Sequence, residues 1–224
     1  METFGEKAFD LYTSIPTSVP GIPGIEIINP YNSNKIKQLV KTFYTKFFSD
    51  TGERIFVIGI NPGRFGGGIT GINFTDPVAL RDICGIDNNL GSRTELSSKF
   101  IYEWIVRMGG PEVFYKSFYL CAMYPLALVK NGKNINYYDG KEILNFFLPA
   151  IADLFEQQYV LGANKNIAIC LGKENLKHLQ KLNDIKGYFK EIILLEHPRY
   201  IMQYKLRSKE EYLQKFIHIT QMLI

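Results

Sequence analysis

Four apolar runs punctuate the chain: Ile55-Phe56-Val57-Ile58 within 54–60, then 117–123, 166–171 and 191–195. Charged or turn-forming residues bound each run. A short, continuously apolar run is the mark of a strand buried on both faces. Between the runs, apolar residues recur at helical spacing. Ile36, Leu39, Val40, Phe43 and Phe47 predict a helix over 34–48 with Ser33 at its N-cap. Phe100, Ile101, Trp104, Ile105 and Met108 predict another over 94–108, stopped by Gly109-Gly110. Further helices are predicted over 140–158, 173–182 and 209–223. Ser208 and Glu211 open the last at the spacing of a capping box. Residues 1–30, with four prolines, read as an early helix followed by a connecting loop. The stretch around Pro125, Asn131-Gly132 and Asn134 reads as a second loop.

Apolar strands alternating with helices predict an α/β fold, a four-stranded parallel sheet covered on both faces. Right-handed crossovers leave the carboxyl ends of all such strands on one edge, where open sheets bind ligands. The segments that follow the first and fourth strands therefore face one crevice. No repeat, low-complexity tract or domain boundary interrupts 1–224, so a single domain is expected.

Composition changes this picture little. The 224 residues are 46% hydrophobic and 21% charged, ordinary for a globular domain. Aromatic residues reach 14%, which suits a ring-rich core or a surface that stacks bases. No apolar run spans a bilayer, and Met1–Lys7 lacks the features of a secretory signal. Cys84, Cys121 and Cys170 are widely spaced, without a CxxC pair. They read as small buried hydrophobes in a reducing, cytoplasmic setting, and they argue against a four-cysteine zinc or iron–sulfur site.

Charge adds one feature. The net charge is +4, and the last quarter carries all of the surplus: 173–224 holds ten Lys and Arg against six Asp and Glu. Within 198–209, Arg199, Lys205, Arg207 and Lys209 stand without an acid among them, interleaved with Tyr200 and Tyr204. A phosphate-facing surface and a solvated basic face fit equally well.

The chemistry concentrates in Gly59-Ile60-Asn61-Pro62-Gly63-Arg64-Phe65-Gly66-Gly67-Gly68-Ile69-Thr70-Gly71. An amide at the tip of a buried strand, beside a glycine-rich loop, is suited to aiming one polar group at one small ligand. The segment from Gly66 to Gly71 matches GxGxxG on paper, but it begins well past the strand and opens no evident helix. The segment from Gly63 to Gly68 has P-loop spacing, but Ile69 stands where the phosphate-binding lysine belongs. Both nucleotide readings are therefore weak.

Asn-Pro-Gly-x-Phe-Gly, then Thr-Gly-x-x-Phe, then a late His197-Pro198 with Arg199 nearby, together resemble the uracil-DNA glycosylase superfamily. The closest branch is the single-strand-selective monofunctional one, or a bacterial relative of it. The resemblance covers about 54–207. It implies a single three-layer α/β/α domain around a central four-stranded parallel sheet, and an enzyme that hydrolyses the bond between a damaged base and deoxyribose. It also implies that DNA is the partner, that the protein acts as a monomer in the cytoplasm or wherever DNA is kept, and that neither metal nor cofactor is needed.

The resemblance assigns roles by position. Asn61 positions and polarises the water, and Asp76 is a second candidate for that task, although an Asp before Pro77 also suits a helix cap. His197 donates to the base carbonyl that gains charge. Phe74 stacks on the extruded base, and Phe65 faces the choice between that role and the core. The backbone about Gly63 and Gly68 offers N–H donors to base or phosphate oxygens. Pro198, Arg199 and Tyr200 correspond to the family's DNA-inserting loop, shortened here, and Lys205 and Arg207 extend the basic segment. Ala122 stands where the family reads the uracil edge with an asparagine. That leaves Asn73, water or backbone to supply the missing bonds, or else a deaminated base other than uracil, such as xanthine or hypoxanthine. Two further readings stay open: a relative that binds single-stranded or damaged DNA without catalysis, and a flavodoxin-like enzyme that holds a phosphate in the glycine loop.

Overall fold

In the computed structural model, which describes all 224 residues, the elements run α1 (Phe4–Thr13), β1 (Glu26–Ile28), α2 (Asn34–Phe47), β2 (Arg54–Gly59), α3 (Gly67–Thr70), α4 (Pro77–Asp82), α5 (Leu96–Arg107), α6 (Pro111–Ser117), β3 (Phe118–Ala122), β4 (Ala127–Lys130), β5 (Lys133–Ile135), α7 (Lys141–Tyr159), β6 (Ala163–Leu171), α8 (Lys173–Lys186), β7 (Glu191–Leu195), α9 (Pro198–Tyr204) and α10 (Lys209–Gln221). The four apolar runs become one all-parallel sheet of order β3-β2-β6-β7. Every residue of β2 and β3 is buried. Edge strand β7 is partly exposed, as its single covered flank allows. Helices lie on both faces, giving a three-layer α/β/α domain.

The sheet order places a topological switch at β2, because β3 is added on one side of it and β6 on the other. An open α/β sheet has its natural crevice there. The carboxyl ends align: Gly59 is in register with Ala122, and Leu171 with Leu195. The loops that leave β2 and β7 therefore start on the same edge. At the opposite end, Arg54 is only 2% exposed. Its guanidinium donates to Tyr115 O at 2.7 Å, Gly52 O at 2.8 Å and Asp50 Oδ2 at 2.6 Å, so its burial is compensated.

Two sequence expectations need correction. The loop predicted around 124–139 contains β4 and β5, which pair with β1 in a second, antiparallel sheet of order β1-β4-β5. Asn131 and Gly132 turn the hairpin, both with positive φ (50° and 69°), as a tight two-residue turn demands. Two expected caps are also not made. Ser33 and Ser208 precede their helices but accept no N–H through their side chains, while Thr3 and Glu6 form a capping box on α1. The three cysteines are free and buried, and no helix is long and apolar enough to cross a membrane.

Candidate active site

Gly59 ends β2 at a point of close approach. A Cβ there would overlap the ring of Phe74, which lies across the strand's end. Phe74 holds a left-handed backbone, φ 57°, although it is not glycine. That conformation costs about 1–2 kcal/mol for an L-residue, and here it turns the ring toward the crevice. The ring centroid stands 6.2 Å from that of His197, which enters from the loop after β7.

Beyond Gly59, the Asn61 side chain is held at both ends by the small antiparallel sheet and the turn after it. Its Nδ2 donates to Ile135 O at 3.0 Å, and its Oδ1 accepts from Tyr137 N at 3.1 Å. These partners fix which end of the amide is oxygen. They leave one N–H and one lone pair for a ligand. The same sheet restrains the glycine loop, because Asn134 Oδ1 accepts from Arg64 N at 3.2 Å. Tyr137 is fully buried and its hydroxyl donates to Asn175 Oδ1 at 2.8 Å, while Asn175 Nδ2 donates to the carbonyls of Ile58 and Gly59. A closed circuit of hydrogen bonds thus joins the amide's holder to the tail of β2.

His197 caps α9. Its Nδ1 accepts from Arg199 N at 3.2 Å, so the neutral ring carries its proton on Nε2. Desolvation, and secondly the neighbouring Arg199 charge, push its pKa down to about 4. The imidazole is therefore a neutral donor throughout the physiological range.

A cleft of about 420 Å³ collects these groups. That volume suits a single nucleoside-sized ligand. Asn61, Gly63, Phe65, Asn73, Phe74, Ala122, His197 and Arg199 all line it, together with Arg64, Lys133 and Glu95. Asn73 is 5% exposed. Its Nδ2 donates to Tyr12 OH, which in turn donates to Gln158 Oε1. That order of donors leaves the Asn73 Oδ1 as the free acceptor. At the rim, the guanidinium carbons of Arg64 and Arg93 lie 4.4 and 4.5 Å from the centroid of the Phe65 ring. The guanidiniums thus pack on Phe65, which is half-buried, so the ring is part of the cleft's lip and not of the core. Arg64, Arg93, Arg199 and Lys133 make no ion pair.

A model of the uracil DNA glycosylase superfamily matches residues 45–221, a span that takes in the Asn61 loop and the His197 loop. The chain belongs to that superfamily. It is also similar, along its whole length, to the crystal structure of wild-type SMUG2 from Pedobacter heparinus. The two share 40% sequence identity with a TM-score of 0.94, over 100% of this chain and 99% of that one. A search of curated proteins returned no match. Superfamily membership gives the class of activity, that of a DNA glycosylase, a hydrolase whose partner is DNA.

Several expected glycosylase residues sit elsewhere. Asp76 lies behind the cleft, 1% exposed. Its Oδ1 caps α4 through Val78 N and Ala79 N, and its Oδ2 accepts from Glu95 N at 2.9 Å. A carboxylate so engaged is spent on structure, which corrects its candidacy for water activation. Gly68 also lies off the cleft wall. Its N–H closes the loop on Gly63 O at 2.9 Å, and a Cβ there would crowd that same oxygen. Pro198 is buried in the first turn of α9, while Tyr200, Lys205 and Arg207 are exposed and line no part of the cleft. The sequence reading also missed Glu95, the one acidic side chain in the cleft. It sits two residues after Arg93 with no motif around it, so only the fold brings it into the cleft that Asn61 lines.

Proposed function

We propose that this member of the superfamily is a monofunctional glycosylase that hydrolyses the N-glycosidic bond of uracil, or another deaminated base, extruded from DNA. The observation that carries the reading is the meeting of Asn61 and His197 across one nucleoside-sized cleft, with the Phe74 ring beside them. The base stacks on Phe74 and His197 donates to the carbonyl that gains charge as the bond breaks. Asn61 holds the water on the sugar side. The Arg64, Arg93, Arg199 and Lys133 cations meet phosphates on either side of the extruded nucleotide.

Ala122 cannot read the base edge, but Asn73 offers a fixed acceptor to a ring N–H. Uracil presents such a donor, and so do xanthine and hypoxanthine, which makes all three substrates to be tried. No lysine stands in either motif. Lys133, exposed at the rim, is the single lysine lining the cleft, and the reading assigns it to phosphate. The reading takes the enzyme to work as a monomer where DNA is kept.

The test is base release from end-labelled oligonucleotides containing uracil, xanthine or hypoxanthine, followed by alkali. Abasic sites are expected with at least one of them, with no scission before alkali. Asn61→Ala and His197→Ala are each expected to lower the single-turnover rate by about 10²–10³-fold. No release from any substrate, or full release by both variants, would sink the reading. A borohydride-trapped adduct with the protein would replace hydrolysis by lyase chemistry.

A further inference from the structure

One carboxylate in the cleft has no place in the chemistry above. Glu95, at the start of α5, is the sole acidic side chain among the cleft's lining residues. Its carboxylate lies against Gly63 and Gly66, two and five residues beyond Asn61. A Cβ on either glycine would overlap it, so both glycines make room for this group. Oε1 accepts from Phe65 N at 3.3 Å. No cation pairs with it within ion-pair distance, a costly state for a half-buried carboxylate to keep without use.

Asn61 supplies a complementary gap. An amide can orient a water but cannot take its proton, and both ends of this amide are already engaged by the backbone. His197 is neutral with its Nδ1 occupied, and it faces the base as a donor. We propose that Glu95 is the general base, accepting the proton of the water that Asn61 positions. This rests on the glycosylase reading and deepens it. The water oxygen bonds to C1′, the C1′–N bond breaks and its electron pair departs with the base. One water proton passes to the Glu95 carboxylate, which later returns it to the departed base or to solvent. Asp76, bonded to the Glu95 N–H, then acts as a positioning residue.

The environment suits a base. Burial first, and the nearby Asp76 charge, hold the Glu95 carboxyl above the usual carboxylate range, against the Phe65 N–H and the Arg199 charge, which lower it. Arg64, Lys133 and His197 complete the charged and titratable groups around the cleft. A stronger carboxylate base lies nearer to operating pH.

The experiment is a single-turnover pH–rate profile from pH 4 to 8, on whichever oligonucleotide gives the fastest base release with the wild type. A general base must be ionised, so the wild-type rate falls on acidification through the Glu95 titration. Glu95→Gln keeps an acceptor for Phe65 N–H and removes only the proton-accepting charge. Its rate is expected to fall by about 10²-fold, with unchanged oligonucleotide affinity and with the acid limb moved down toward the His197 titration near pH 4. Wild-type rate in Glu95→Gln overturns the proposal, and so does a slower variant that keeps the wild-type limb, since that is loop support alone. If Glu95→Gln fails to fold, Glu95→Asp decides: a displaced acid limb supports the role, and an unmoved one overturns it. A wild type that releases no base would instead sink the glycosylase reading itself.

Discussion

The two sheets grip the cleft in different ways. The parallel sheet fixes where backbone leaves: β2, β3, β6 and β7 stop in register on one edge, and the loops carrying Asn61 and His197 start there. The antiparallel sheet and the turn after β5 fix where one side chain ends, through the Ile135 carbonyl and the Tyr137 N–H. The first grip is hydrophobic, since β2 and β3 are buried along their whole length, and each large apolar side chain so buried contributes about 1.5–3 kcal/mol. The second is polar, built on strands of three and four residues that would not persist alone. A site held this way can lose the aim of its amide while its frame stays intact, and the two grips are separable by mutation.

The largest effect is expected from the frame. Gly59→Val drives a side chain into the space of the Phe74 ring. Overpacking of this kind costs about 1–3 kcal/mol of stability, and the displaced ring forfeits stacking of about 1–3 kcal/mol per base. Base release should fall by about two orders of magnitude, with a lower melting temperature. Wild-type turnover in Gly59→Val would remove Phe74 from the role of platform.

Tyr137→Phe loosens the second grip and leaves the frame standing. It strips the donor from Asn175 Oδ1, which is buried without another hydrogen bond. An unsatisfied buried acceptor costs about 1–3 kcal/mol. The hydrogen-bond circuit behind Asn61 opens at that point, so kcat should drop about tenfold, equivalent to roughly 1.4 kcal/mol, with KM little changed. Denaturant unfolding and steady-state kinetics separate the two effects. Lost stability with unchanged kcat would show that the Tyr137 backbone holds the amide unaided.

His197 sharpens the comparison from the other side of the cleft, through pH. Its folded pKa, about 4, lies below the usual value near 6.5, so the folded state binds fewer protons than the unfolded chain as pH falls. The fold keeps its full preference for the neutral ring above pH 6.5 and loses it progressively toward pH 4, by at most about 3 kcal/mol. His197→Gln should flatten that part of the stability curve in urea titrations at pH 7.5 and 4.5. An unchanged acid slope would mean that the imidazole is solvated in the folded state.

The frame was legible in the sequence because burial on both faces leaves a plain mark. Ile55 to Ile58 and Ile167 to Leu171 are apolar without a break, and the first leads directly into Asn61. The second grip was hidden. Its strands are too short for a period to register, Lys130 and Lys133 lie at their ends, and β1 pairs with β4 across about a hundred residues. The one available signal was Asn131-Gly132 between two short runs, which is the sequence of a tight hairpin turn. Glu95 carried no signal at all, since neither its neighbours nor its spacing set it apart. Asp76 before Pro77 carried two, and helix capping was the one the fold used.

The smallest effects are expected on DNA binding, where the basic segment divides. Arg199 lines the cleft, next to the His197 donor. Lys205 lies at the far end of α9, about 9 Å further along the helix axis, and Arg207 follows it in an exposed turn. Charge falls off in effect within a Debye length of about 8–10 Å at moderate salt, so cations at the rim meet the phosphates of the extruded nucleotide and those of the tail do not. Arg199→Ala, or Arg64→Ala, should lower the slope of log affinity against log salt by about 0.7–0.9, one phosphate's share. The pair Lys205→Ala with Arg207→Ala should leave that slope nearly unchanged. Fluorescence anisotropy across a salt series reads both. If the tail pair moved the slope as far as Arg199 does, DNA would run along α9, and the rim formed by Arg64, Phe65 and Arg93 would face solvent.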